Sequence, residues 1–270
     1  MTKSVFFEFL RHNSAVEIPW LLLLASLTVG ILVGLTGVGG GALMTPILIA
    51  GFAVPAPVAI ATDLLFATVT KVIGVLVHGR AGRVDWAVAR SLWWGSIPAV
   101  LVGSVLLVGV VSSGQVDWVL WLIVGFVALT ALTLVRGGLG VTVRLGSRVT
   151  SVPRWLGPLG GVGIGLGVSL TSVGAGVLGM ALLVRISPKD IPPQRLVATD
   201  LLHAIPIALV AGVSYSFAGL VDWELLMLLL IGSLPGVVIG SLLSGKVPAR
   251  ALQLGLGVIL LGLALLLAVV

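Results

Sequence analysis

Apolar runs long enough to cross a bilayer recur along this chain from Ile18 to Val270, with little polar sequence between them. A hydrocarbon core takes about 20 apolar residues per helix, and a helix satisfies its own backbone hydrogen bonds where no water can. The chain therefore reads as an all-α membrane protein. Only 9% of its 270 residues are charged, where a soluble domain carries roughly a quarter, so no soluble domain of useful size fits. The formal charge of +6 does not mark a nucleic-acid binder, because the basic residues sit singly in short loops between apolar spans. The absence of cysteine excludes disulfides, thiol chemistry and thiolate metal sites; neither cofactor nor metal is expected. Residues 1–17 carry Glu8 and Glu17 beside Lys3 and Arg11 without a small-residue cleavage site, unlike a signal peptide. Val5, Phe6, Phe9 and Leu10 could form one face of an interfacial helix there.

The chain also repeats itself. Ala61-Thr62-Asp63-Leu64-Leu65 returns as Ala198-Thr199-Asp200-Leu201-Leu202, Val84-Asp85-Trp86 as Val221-Asp222-Trp223, and Gly95-Ser96-Ile97-Pro98 as Gly232-Ser233-Leu234-Pro235, all offset by 137 residues. Upstream, Leu35-Thr36-Gly37-Val38-Gly39-Gly40-Gly41 matches Leu170-Thr171-Ser172-Val173-Gly174-Ala175-Gly176 at an offset of 135. Two homologous halves follow, 18–135 and 155–270, joined by a cytoplasmic linker over 136–154.

Each half opens with a segment, Ile18–Gly51 or Trp155–Ile186, too long for one crossing and short for two. A re-entrant hairpin with its turn at the glycines solves this, provided that the turn is buried in protein or lines a cavity. Three spans should follow each hairpin: 57–78, 85–111 and 116–135, then 193–215, 222–244 and 250–270. An odd number of crossings inverts the second half. On that layout Arg80, Arg83, Arg90, Arg136, Arg144, Arg148, Arg154, Arg185, Lys189, Arg195, Lys246 and Arg250 share one side, and only Lys3 and Arg11 take the other. Eight plain crossings would scatter them. The positive-inside rule favours hairpins, with both termini outside. Trp20, Trp86, Trp118, Trp155 and Trp223 then fall at span ends, where interfacial tryptophan belongs. Inverted repeats with broken helices are a transporter design whose site lies near the midplane between halves. Pro98 and Pro235 suggest paired kinks beside it.

At these residues the chain resembles the sulfite exporter TauE/SafE family. The resemblance rests on Gly30-x3-Gly34-x2-Gly37-Val38-Gly39-Gly40-Gly41 with Pro46 and Leu48 following, on the Ala-Thr-Asp-Leu stretch in both halves, and on Val-Asp-Trp opening a span in both. It covers nearly everything after residue 17. It implies transport of small sulfur-containing or organic anions, such as sulfite, sulfoacetate or other sulfonates, across the inner membrane. The second copy departs from the pattern, reading Ser-Val-Gly-Ala-Gly without the proline, so the two tips are chemically unequal.

The expected anion site is the meeting of the two tips: Thr36, Gly37, Gly39, Gly40 and Gly41 with Thr171, Ser172 and Gly174. Glycine-rich breaks expose backbone N–H groups, and the half-helix that follows directs its positive end at them. Close helix packing is the blander account of the glycines. Asp63 and Asp200 lie inside spans, where an ionised carboxylate costs about 2.5–3.5 kcal/mol; each either caps a hairpin tip or carries a coupled proton or cation. Lys71, matched by Ala208, either snorkels to the inner surface, the safer reading, or attracts substrate. His203, three residues after Asp200 and matched by Phe66, either relays protons or is a bonded core histidine. Gly240-x4-Gly245-Lys246 imitates a nucleotide-binding loop, but Val247 stands where the hydroxyl residue belongs.

The function expected is a secondary transporter, an exporter of small anions by alternating access, with the lipid bilayer as its surroundings and room for a homodimer. Rival readings are a passive anion channel and an intramembrane serine hydrolase using Ser172 with His203. The topology is testable because the chain has no cysteine of its own. A cysteine at Gly114 should react with an impermeant reagent in intact cells and one at Ser147 should not; the opposite pattern would overturn the layout.

Overall fold

The computed structural model describes residues 17–36, 41–77, 84–114, 116–139, 155–174, 176–187, 193–243 and 246–269. They form helices α1 (Glu17–Thr36), α2 (Gly41–Phe52), α3 (Ala56–Val77), α4 (Trp86–Ser113), α5 (Asp117–Gly138), α6 (Leu156–Thr171), α7 (Val177–Ile186), α8 (Pro193–Phe217), α9 (Trp223–Leu243) and α10 (Ala249–Val269). No strand occurs among the described residues. Six helices, α3–α5 and α8–α10, are long and apolar enough to cross a membrane. The protein is an all-α, multi-pass membrane protein. The interfacial segment and most of the linker fall outside the described residues. Helix α5 runs on to Gly138, three residues past its expected end.

The two opening segments are each broken where the glycines predict. Helix α1 stops at Thr36 and α2 starts at Gly41; α6 stops at Thr171 and α7 starts at Val177. Helices α2 and α7 have only 12 and 10 residues, about 18 and 15 Å at 1.5 Å per residue, well short of a bilayer core.

The repeated motifs bind each other across the halves. Asp85 N–H donates to Thr199 Oγ1 at 3.0 Å, and Asp222 N–H donates to Thr62 Oγ1 at 3.1 Å. The same aspartates begin helices: Asp85 Oδ1 accepts from Ala87 and Val88 N–H, and Asp222 Oδ1 accepts from Leu225 N–H, the ordinary N-cap arrangement. Val-Asp-Trp is thus a cap and Ala-Thr-Asp-Leu its receptor.

Helix contacts follow the same exchange. Helix α1 packs along α9 in parallel, Gly30 against Ser233 and Gly34 against Val237 and Gly240. Helix α6 packs along α4 in parallel, Gly161 against Leu92 and Gly165 against Ser96. Helices α5 and α10 pack antiparallel, Gly138 meeting Leu254 while Gly257 meets Val135. These seams follow four-residue ladders: Gly30 and Gly34 on α1; Gly232, Gly236 and Gly240 on α9; Gly157, Gly161 and Gly165 on α6. A backbone carbonyl of the partner helix occupies the space that a side chain would fill at most of these positions. Membrane helices gain their attraction from such close approach, because lipid offers no hydrophobic drive between them. Gly240 is a packing glycine here, against Ile31 of α1. Pro98 and Pro235 face outward and are exposed, while Gly95, Ser96, Gly232 and Ser233 beside them face the seams. The prolines therefore lie on the outer surface and do not line the seams. The five tryptophans expected at span ends are all exposed there.

The seams predict a sharp contrast between glycines. A Cβ on Gly236 would collide with the Leu27 carbonyl, whereas one on Gly262 has open space within 4 Å. Gly236→Val should cost about 1–3 kcal/mol by overpacking and lower the melting temperature in detergent. Gly262→Val should fall within about 0.5 kcal/mol of the parent.

Candidate functional site

The two broken segments meet. A Cβ on Gly41, first residue of α2, would collide with the backbone carbonyl of Ser172, in the break after α6. Ser172 caps α6 with a left-handed backbone, φ 57°, its N–H donating to Val168 O at 2.8 Å. The matching residue of the first half is Gly37; glycine as a residue type tolerates such a φ, whereas serine bears about 1–2 kcal/mol. Its side chain explains the choice. Ser172 Oγ donates to Asp63 Oδ2 at 2.9 Å, and Thr45 Oγ1, on α2, donates to the same oxygen at 2.5 Å. One carboxylate of α3 therefore holds a hydroxyl from each hairpin. Asp63 is fully buried, and two hydroxyl donors offset part of its desolvation.

Asp63 thus joins the two segments through side-chain hydroxyls, where capping of backbone N–H groups at the tips was expected. Asp200, 4% exposed, occupies the matching place on α8 but differs in bonding. Its Oδ1 has no hydrogen-bond partner. It lies against Gly179 in the first turn of α7, where a Cβ would collide with it. The Gly179 N–H is already donated to Gly174 O at 3.1 Å.

Lys71 is the correction to the sequence reading. It does not snorkel: it is 4% exposed and lines an internal cavity with Ser172 and Gly174. The flexible stem and the short distance to the span end both favoured snorkelling, but α3 sits in the middle of the bundle between α2, α8 and α9. No ion pair within 4 Å closes on Lys71 among the described residues; the one found joins Arg195 to Asp85 at 3.8 Å. Paired positions of the repeat line the cavity together: Gly41 with Gly176, Ala42 with Val177, and Lys71 with Ala208. Its volume is about 10 Å³, room for about one water. The N-terminal residues of α2 and of α7 both border it, so two helix ends, each worth about half a positive charge, face the same space as the ammonium. Thr130 of α5, also on its wall, is a residue that sequence reasoning missed. Its Oγ1 is buried without a partner.

Other expected residues divide. Thr171 Oγ1 donates to Gly167 O at 2.7 Å and accepts Val173 N–H at 3.1 Å, so it shapes the break from within. Thr36 Oγ1 donates back to Leu32 O at 2.7 Å. Gly37, Gly39 and Gly40 lie outside the described residues. His203 Nε2 pairs with Ser96 Oγ of α4 at 3.0 Å, the bonded core histidine, though with Ser96 and not with Asp200. Ser172 and His203 are therefore bonded to different partners, and the dyad a hydrolase would use is not assembled.

Comparison with known proteins agrees with this picture. A family model described as Sulfite exporter TauE/SafE matches residues 22–267. Probable membrane transporter protein YjnA of Bacillus subtilis (strain 168) is 36% identical over 245 residues, covering 86% of this chain and 92% of the relative. Probable membrane transporter protein YdhB of the same organism is 25% identical over 86% of this chain and 93% of its own length. A probable membrane transporter protein of Xylella fastidiosa (strain Temecula1 / ATCC 700964) is 28% identical over 82% of this chain and 83% of its own length. No solved structure gives a significant match.

The clasp at Asp63 makes a prediction about backbone and side chain separately. Ser172→Ala loses a hydrogen bond to a buried carboxylate, worth about 1–3 kcal/mol, and keeps the strained φ. Ser172→Gly loses the same bond but relieves the strain. Thermal unfolding in detergent should rank wild type above Ser172→Gly, and Ser172→Gly above Ser172→Ala.

Proposed function

Because the chain belongs to the sulfite exporter TauE/SafE family, matched over residues 22–267, we propose that it is a secondary transporter that binds a small sulfur-containing or organic anion, such as sulfite or sulfoacetate, beside Lys71. The observation that carries this reading is the convergence of a buried ammonium and two half-helix N-termini on one small cavity between the halves. An anion leaving water needs fixed positive ends and donors to replace its hydration. The cavity offers them with one full charge, enough to attract and few enough to release.

Movement would follow from the duplication. Regions 18–135 and 155–270 are two inverted repeats, a reading supported by the antiparallel run of α5 and α10 and by the crosswise bonds of Asp85 and Asp222. Rocking one repeat against the other would open the cavity to alternate sides. Both termini then lie outside and the linker in the cytoplasm, where most basic residues gather. A cavity about one water in size must widen to admit an anion, which favours alternating access over a standing channel. Flux into proteoliposomes of sulfite, sulfoacetate, taurine and thiosulfate tests the substrate class. Accumulation against a gradient separates a transporter from a channel.

Lys71→Gln tests the site. The variant should insert and remain monodisperse yet lose anion affinity by roughly 30-fold or more, since removing one partner of a buried charge pair costs about 2–5 kcal/mol. Wild-type affinity in a well-folded Lys71→Gln protein would place the anion elsewhere.

A further inference from the structure

The two aspartates of the repeat occupy matching positions, but their surroundings assign them different work. Asp63 Oδ2 accepts two hydroxyl hydrogens, from Thr45 and Ser172, and charge-assisted bonds of this kind stabilise the ionised form. Each aspartate leaves a buried Oδ1 without a partner, but no hydrogen bond to Asp200 matches the two at Asp63 among the described residues, and the N–H of the glycine that Asp200 touches is already used. An ionised carboxylate in that position has only the electrostatic attraction of Lys71 to hold it.

Among the described side chains, the remaining groups around Asp200 offer no other counter-charge; on α7, which touches Asp200 at Gly179, the one charged residue is Arg185, six residues further on, next to the helix's C-terminal end. On α3, packed against α8, stand Lys71 and Asp63. On α4, Arg90 is exposed and bonds back to Trp86 O. On α8 itself, Arg195 pairs with Asp85, and His203 faces Ser96, one turn beyond Asp200. Helix α6 contributes no titratable side chain. Around the cavity, one ammonium therefore serves two carboxylates. With all three ionised the side chains sum to one negative charge, and an arriving anion would make two. Its attraction to Lys71 would compete directly with Asp200.

We propose that Asp200 is the proton-binding group of this transporter: it becomes a neutral carboxylic acid as the anion enters, so that anion and proton bind together, while Asp63 stays ionised as the clasp between the hairpins. The step is a simple protonation, one proton from water adding to a carboxylate oxygen of Asp200. It frees the Lys71 ammonium for the anion and keeps the net charge around the cavity unchanged when a monoanion is bound. The linkage rests on the anion site proposed above, but the assignment of the proton to Asp200 does not.

Infrared difference spectroscopy of the purified protein separates the two. Lowering the pH without any anion should raise a carboxylic-acid carbonyl band that Asp200→Asn abolishes and Asp63→Asn leaves. Asp200→Glu, which keeps an acid at the position, should retain the band at a shifted frequency and guards against a merely misfolded Asp200→Asn. A band that survives Asp200→Asn, or is lost only with Asp63→Asn, overturns the assignment. For the linkage, a sulfoacetate gradient across proteoliposomes holding a pH dye should drive protons in the same direction as the anion. Sulfoacetate is chosen because both its acid groups stay ionised near neutral pH, so any proton moved is carried by the protein; it binds as a dianion, and the proton on Asp200 offsets one of its two charges. Asp200→Asn should still exchange sulfoacetate for sulfoacetate while proton movement is lost. Proton flux through Asp200→Asn equal to wild type, anion flux without protons in wild type, or a requirement for sodium instead would each overturn the linkage. A wild type that moves no sulfoacetate contradicts the transport reading, and the infrared result still decides Asp200.

Discussion

A single carboxylate oxygen holds the centre of this protein together. Asp63 Oδ2 accepts one hydroxyl from α2 and one from the break after α6, so each hairpin is pinned to the same atom. Broken helices at membrane depth are tolerated only where protein covers them, and here the start of α2 packs against the break after α6. The contact between Gly41 and the Ser172 carbonyl leaves no room for a side chain. The left-handed serine, the absent Cβ at 41 and the buried aspartate are three consequences of one requirement: two ends of interrupted backbone must meet without water.

That meeting depends on how closely the surrounding helices can approach. Helices α1 and α9, and α4 and α6, are drawn together along ladders of small residues spaced four apart. Each first helix of one half is thereby held by the second span of the other. The same exchange appears in polar form, where Asp85 and Asp222 cap their own helices and donate to a threonine of the opposite half. The duplicated motifs are therefore joints between halves, and the weak self-similarity of the sequence is the trace of a strong mutual fit.

Much of this was legible in the residues. Membrane helices follow from apolar run length, the six long helices lie within three residues of the expected spans at either end, and each opening segment is divided into two helices, Thr36 ending one and Gly41 starting the next, Thr171 and Val177 likewise. What escaped was side-chain direction. Lys71 looked free to reach the surface because its span ends seven residues on, but burial of α3 on several sides depends on which helices surround it, and local sequence does not carry that. Thr130 escaped for a related reason: nothing near it on α5 distinguishes a cavity wall from a packing face. The prolines mislead in the opposite way, since a kink-former draws attention to itself while its ring lies on the exposed outer surface. Asp63 and Asp200, alike in sequence context, separate only once the hydroxyls of Thr45 and Ser172 are seen to reach one of them.

The central claim is that a small oxyanion is held between the two breaks, against Lys71 and the N-terminal turns of α2 and α7. The most direct measurement is anomalous diffraction from crystals of the protein grown with selenite, a heavier analogue of sulfite. The account predicts one selenium peak in the cavity, with its oxygens within hydrogen-bonding distance of Lys71 Nζ and of N–H groups at the start of α2 or α7. A bound selenium peak away from Lys71, outside the space between the two breaks, would contradict it.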